Sequence, residues 1–214
     1  MARPNILVIT TDQQRYDTLG CYANPHVKTP ALDELAGQGV VFELCYAPNP
    51  VCAPTRASMY TGRWPHVCGL WANGVDLPRE EKLFTRLLAD AGHDCGLIGK
   101  VHLGSCASGR VEPRLDDGYG VYEWAHHPGG DWGDENAWWR WLKNQPPGEG
   151  KPPAPYPIAM GGVGEPRQRH FTHWAAERTI EFLRARREEP FFVWMSLFDP
   201  HHPFDPPLEY LQKY

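Results

Sequence analysis

Cys52 stands two residues before Pro54 and four before Arg56, and this spacing is the chain's clearest opening for nucleophilic chemistry. Proline is favoured in the first turn of a helix, where its missing N–H costs nothing, and Gly62 supplies a stop. The pattern predicts a helix to about Tyr60 with Cys52 at its amino terminus. Unpaired N–H groups and the positive end of the dipole collect there, so a sulfate or phosphate group is favoured beside the sulfur. Arg56, one turn along, falls near the same face and can add charge-assisted hydrogen bonds. Taken alone, the same two residues also describe a structural thiol and a surface guanidinium.

Other ionisable groups follow short apolar runs. Asn5 to Thr10 reads as a strand buried on both faces, with Asp12 just beyond it. Cys95 to Gly99 is a second strand, followed by Lys100 and His102, which project to one side if the backbone stays extended. Phe191 to Phe198, nearly all apolar, leads into Asp199, His201 and His202. Asp12 at a strand end suits a hard divalent ion such as Ca²⁺, or else caps a turn. A histidine that titrates near neutrality suits a general acid, and the adjacent pair leaves open whether His201 or His202 acts.

Helices are expected between these strands. Thr29-Pro30 offers a cap and a first helical residue, with Ala31, Leu32, Leu35 and Ala36 at helical spacing before Gly37 and Gly39. Val40 to Tyr46 reads as a strand, Leu83 to Ala91 as a helix closed by Gly92, and Phe171 to Leu183 as one apolar helix face. From about Gly104 to Gly164 the order weakens. Gly and Pro are frequent, Pro152-Pro153-Ala154-Pro155 breaks any element, and one short Trp-rich helix around Trp132 to Trp141 is expected, its rings mainly in core packing. Alternating helices and apolar strands predict an α/β fold: a largely parallel central sheet flanked by helices, with ligands beyond the carboxyl ends of its strands.

The composition narrows the partners. A net charge of -5, spread without long runs, gives no basic footprint for nucleic acid and no polybasic membrane patch. Ile6 to Ile9 is too short for a secretory core or a membrane span, and a cytoplasmic location is expected. The 6 cysteines contain no C-x-x-C pair, so reduced thiols are expected and a zinc ribbon is not. His126-His127 and His201-His202 are adjacent pairs, ill suited to chelating one ion.

Cys52-Ala53-Pro54-Thr55-Arg56, with Asn49-Pro50-Val51 before it and Ala57 to His66 after it, resembles the signature of the type I sulfatases in the alkaline phosphatase superfamily. Thr10 to Asp17, Gly99-Lys100-Val101-His102-Leu103-Gly104 and Pro200-His201-His202-Pro203-Phe204 resemble further motifs of that family, in the same order. The resemblance implies sulfate-ester hydrolysis on an alkaline-phosphatase-like sandwich. It implies that a formylglycine-generating enzyme oxidises Cys52 to formylglycine, whose aldehyde hydrate attacks the ester and later expels sulfate by re-forming the carbonyl. It further implies that Asp12 and the modified Cys52 bind Ca²⁺, or another divalent ion such as Mg²⁺ or Mn²⁺. Arg56 then holds the hydrate, Lys100 binds the sulfate, His102 contacts the hydrate, and His201 protonates the leaving group.

The resemblance runs from Asn5 to about Phe204, with a variable insertion at about 106–167, and residues 1–214 read as the amino-terminal part of a sulfatase catalytic domain. Family members take a second metal pair and a further Lys from a carboxyl-terminal half. The implied metal site is therefore incomplete, the chain alone is expected to turn over little substrate, and an uncovered sheet face invites association. Two other readings stay open: a phosphonate monoester or phosphodiester hydrolase of the same superfamily, which shares the Asp-Gln start, and an inactive fragment or assembly module.

Overall fold

The computed structural model describes residues 3–146, 162–186 and 188–213. Four strands, β1 (Ile6–Thr10), β2 (Asp94–Gly99), β3 (Val121–Trp124) and β4 (Phe191–Ser196), form one all-parallel sheet in the order β1-β4-β2-β3. The helices are α1 (Pro30–Gln38), α2 (Cys52–Thr61), α3 (Pro65–Cys68), α4 (Phe84–Asp90), α5 (Ala137–Lys143), α6 (Phe171–Ala185) and α7 (Leu208–Leu211).

Alternation along β4 explains the layers, because successive side chains of a strand leave opposite faces of the sheet. Phe192 and Trp194 join one core with Leu97, Trp124 and the α2 residues Ala53, Ala57 and Tyr60. Phe191 and Val193 join the other with Ile98, Trp138 of α5 and Phe171, Trp174 and Phe182 of α6. Burying such large side chains contributes roughly 1.5–3 kcal/mol each against exposure.

Register sets the functional edge. Thr10 pairs with Ser196, Ser196 with Gly99, and Gly99 with Trp124, so all four strands end in one row. Asp12, Lys100, the residues after Trp124 and those after Ser196 therefore leave the sheet side by side.

Several expectations need correction. Val40 to Tyr46 forms no strand and is exposed, Val40 at 80% and Tyr46 at 82%. β-propensity there finds no neighbouring strand to pair with. β1 is buried on one face only, with Leu7 44% and Ile9 52% exposed, because it is an edge strand that α5 and α6 do not cover. α1 forms as expected but has no buried residue. The stretch from Gly104 onward contains, besides the Trp-rich helix α5, the strand β3. The Pro152 to Pro155 break lies outside the described residues.

Candidate active site

Asp12, Arg56 and Lys100 meet at the row of strand ends. Lys100 Nζ lies 2.6 Å from Asp12 Oδ2, and Arg56 Nη2 lies 3.5 Å from the same oxygen. Arg56 Nη1 also donates to the Lys100 carbonyl at 3.0 Å and to Ser196 Oγ at 2.8 Å. Thr10 Oγ1 donates to Ser196 Oγ at 3.3 Å and accepts from Trp194 Nε1 at 3.0 Å. β1, β2 and β4 are thus tied to α2 through a guanidinium whose planar fork fits several acceptors at once. Burial would raise the Asp12 carboxyl, but Lys100 and Arg56 together outweigh it and hold the group below the usual carboxylate range. Two cations against one carboxylate leave the knot with an excess positive charge.

Cys52 opens α2, as its spacing from Pro54 predicts. Its sulfur is half-buried and accepts a hydrogen bond from Asn73 Nδ2 at 3.4 Å, while Asn73 Oδ1 accepts from the Ala53 N–H at 3.1 Å. Asn73 therefore satisfies a free N–H of the helix start and fixes the sulfur's position. Nothing in its own sequence neighbourhood singles it out, since it is brought in by the loop after α3. Cys52, Asp12, Arg56, Asn73, His201 and His202 line one open cleft of about 810 Å³.

His201 sits across that cleft with its Nδ1 2.6 Å from the His202 carbonyl. A carbonyl only accepts, so Nδ1 carries the proton and the neutral ring offers a bare Nε2. Burial, more than the nearby Lys100 charge, lowers the His201 pKa. The ring is therefore a proton acceptor near neutrality and becomes an acid once an anion beside it favours the imidazolium. His202 Nδ1 meets Gln13 Oε1 at 3.3 Å.

Lys100 and His102 do not project together as an extended backbone would place them. His102 has φ 60°, the left-handed region, which is costly for a residue other than glycine. The Glu112 carboxylate holds it there by accepting from His102 N at 2.8 Å, Leu103 N at 2.5 Å and Trp124 Nε1 at 2.7 Å. The Lys100 ammonium is 1% exposed and closes on Asp12, while the His102 ring packs edge-on against His126, centroids 4.5 Å apart. Neither lines the cleft. Burial, reinforced by Lys100 and Arg56, pushes His102 down to about 3.

The donor set bears on the groups expected here. Cys52 reaches the cleft at the amino terminus of α2, with the Ala53 N–H held by Asn73 beside it. A hard divalent cation wants six to eight oxygens, more than Asp12 alone supplies. Asp12 is the one carboxylate among the described residues lining the cleft, and Lys100 and Arg56 already engage it. Among the described residues the closest grouping of metal-ligating types lies behind the cleft, at His102, Cys106 and His126.

A parallel α/β sheet whose charged side chains gather at its carboxyl edge belongs to the class of open α/β folds that bind ligands beyond the strand ends. Within that class the comparisons are specific: the Sulfatase family model matches residues 4–214, and the chain belongs to the sulfatase family of the alkaline phosphatase superfamily. The chain is 31% identical over 225 residues to the uncharacterized sulfatase YidJ of Escherichia coli, covering 100% of this chain and 42% of that protein. It is 30% identical over 230 residues to an arylsulfatase of Clostridium perfringens, covering 99% of this chain and 46% of that one. The phosphonate monoester hydrolase of Agrobacterium radiobacter shares the fold, with a TM-score of 0.73, 24% identity, and coverage of 99% of this chain and 44% of that chain. The chain therefore spans less than half the length of these relatives. No helix among the described residues is long and apolar enough to cross a membrane.

Proposed function

We propose that this chain forms the amino-terminal part of a catalytic domain that hydrolyses small sulfate esters, with position 52 supplying the nucleophile. The observation that carries the reading is the placement of Cys52. It heads α2 on the cleft, facing the Arg56–Asp12–Lys100 knot and His201, in a chain of the sulfatase family. When Cys52 is converted by a formylglycine-generating enzyme, the aldehyde hydrate provides an oxygen nucleophile with a second hydroxyl able to release sulfate.

The chain's own residues do the rest. The amino terminus of α2 and the excess charge of Arg56 and Lys100 draw an anionic ester toward position 52. Asn73 orients that side chain, and Arg56 locks α2 to the ends of β2 and β4 so that the distance across the cleft is preset. His201 takes a proton at Nε2 as the anion enters and delivers it to the departing ester oxygen. His201 also borders a second recess of about 540 Å³, with Arg167, His170, Phe204 and Tyr210 on its walls, where the leaving group would lie. Asp12 and the converted side chain at position 52, both on the cleft, would help hold a Ca²⁺ or similar ion, and the described donors do not complete such a site.

The test compares an aryl sulfate with an aryl phosphonate in the protein that carries this chain, wild type and Cys52→Ala. Preferential sulfate turnover that the substitution removes supports the reading. Preferential phosphonate turnover supports the alternative hydrolase, and turnover unaffected at position 52 overturns both.

A further inference from the structure

His102 is held in a conformation that its own chemistry disfavours. Its φ of 60° crowds any side chain, and such outliers persist only where the surrounding structure enforces them. The enforcing group is the buried carboxylate of Glu112. Its Oε1 accepts from His102 N at 2.8 Å and from Trp124 Nε1 at 2.7 Å, and its Oε2 accepts from Leu103 N at 2.5 Å. Successive backbone N–H groups turned to one side make a concavity for an anion, and here the chain fills it with its own side chain.

The clamp connects the elements around the cleft. Leu103 O accepts from Leu77 N at 2.8 Å, and Asp76 Oδ1 accepts from Ser105 N at 2.8 Å, so the segment after β2 is tied to the loop that carries Asn73. Trp124 ties it to the end of β3. Two residues before His102, Lys100 closes on Asp12 and its carbonyl accepts from Arg56. Burial, then the Lys100 and Arg56 charges, keep the His102 ring neutral, and its Nδ1 is buried without a partner. An imidazole whose placement costs backbone strain and leaves a nitrogen unsatisfied is placed for something other than stability.

We propose that Glu112 is a positioning residue for the reaction at position 52. Its carboxylate keeps His102 in the left-handed turn and so sets the imidazole beside the Asp12, Lys100 and Arg56 knot. Without it the backbone relaxes and carries the ring away. Glu112 lines no part of the cleft and acts through His102. This role rests on the sulfate-ester reading of the cleft. Sequence spacing conceals it, because Glu112 follows His102 by 10 positions in a loop with no motif of its own.

The test is a double-mutant cycle on aryl-sulfate turnover by the protein that carries this chain, at a temperature where circular dichroism shows each variant folded. Glu112→Gln should lower kcat on the order of 100-fold, the cost of a misplaced group, with KM little changed. In a His102→Ala background the same substitution should cause no further loss, because the group it positions is already gone. Hydrogen exchange on the wild type needs no variant: the amides of His102 and Leu103 should exchange as slowly as those of β2. Fast exchange at both amides, or losses from the two substitutions that simply add, would overturn the proposal. Turnover that Cys52→Ala removes and Glu112→Gln leaves unchanged overturns the positioning role alone. A wild type whose sulfate turnover does not depend on Cys52 overturns the underlying reading together with it.

Discussion

Lys100 illustrates how a single buried charge is tolerated. Its ammonium is enclosed by protein and has Asp12 as its ion-pair partner, so Lys100→Met strands a carboxylate with only the 3.5 Å contact to Arg56. The expected loss is about 3 kcal/mol, read from urea unfolding midpoints, and Asp12→Asn in the same background should recover most of it. Glu112→Gln should cost about 2 kcal/mol by the same measurement, because an amide offers one acceptor atom where His102 N, Leu103 N and Trp124 Nε1 use two. Asp205 sets a pH dependence. Burial, then the nearby Asp199 charge, raises its carboxyl to about 6 in the folded chain against an ordinary 3.8. The folded state therefore holds a proton that the unfolded state releases, and stability falls as pH rises from about 4 through 6. Asp205→Asn should flatten that slope and stabilise the chain at pH 7 by about 1 kcal/mol, a figure discounted for partial exposure. At this scale the convergence of Cys52, Arg56, Asp12 and His201 on one cleft was legible from their places at strand ends and a helix start. Asn73, Ser196 and Glu112 were not, since ordinary polar residues acquire roles only through contacts made across 20, 140 and 10 positions.

Elements were legible where local chemistry and burial agree. Pro54 and Gly62 bracket α2, and the apolar run of β4 is buried between two helical layers, so both follow from the sequence. Val40 to Tyr46 has the composition of a strand and lacks a partner, while β3 is a four-residue strand hidden among glycines and prolines that gains its identity from pairing with β2. Pairing of that kind leaves no short-range signal. The junction of β2 with the site is tight: Gly99 has φ 108°, and a Cβ there would stand 2.0 Å from the Ser196 carbonyl oxygen. Gly99→Ala should thus separate the ends of β2 and β4, cost more than about 3 kcal/mol, and displace Lys100. A large fall in melting temperature with lost near-ultraviolet dichroism would bear this out, and a wild-type melting curve would not.

Across the whole molecule, two cores sandwich the sheet, but one face of β1 and the segment from Val40 to Tyr46 leave apolar side chains in solvent. Apolar surface of that kind drives association. Sedimentation velocity on the 214-residue chain should show concentration-dependent association, reduced by Leu7→Ser with Ile9→Ser. The same architecture concentrates its chemistry at one edge, where parallel strands in register deliver Asp12, Lys100 and His201 beside the head of α2. The central claim is that position 52 is a converted nucleophile. Mass spectrometry of the tryptic peptide from Thr29 to Arg56, taken from protein made in its native source, tests it most directly. The account predicts an aldehyde at position 52, whereas an unmodified thiol throughout the native population would contradict it.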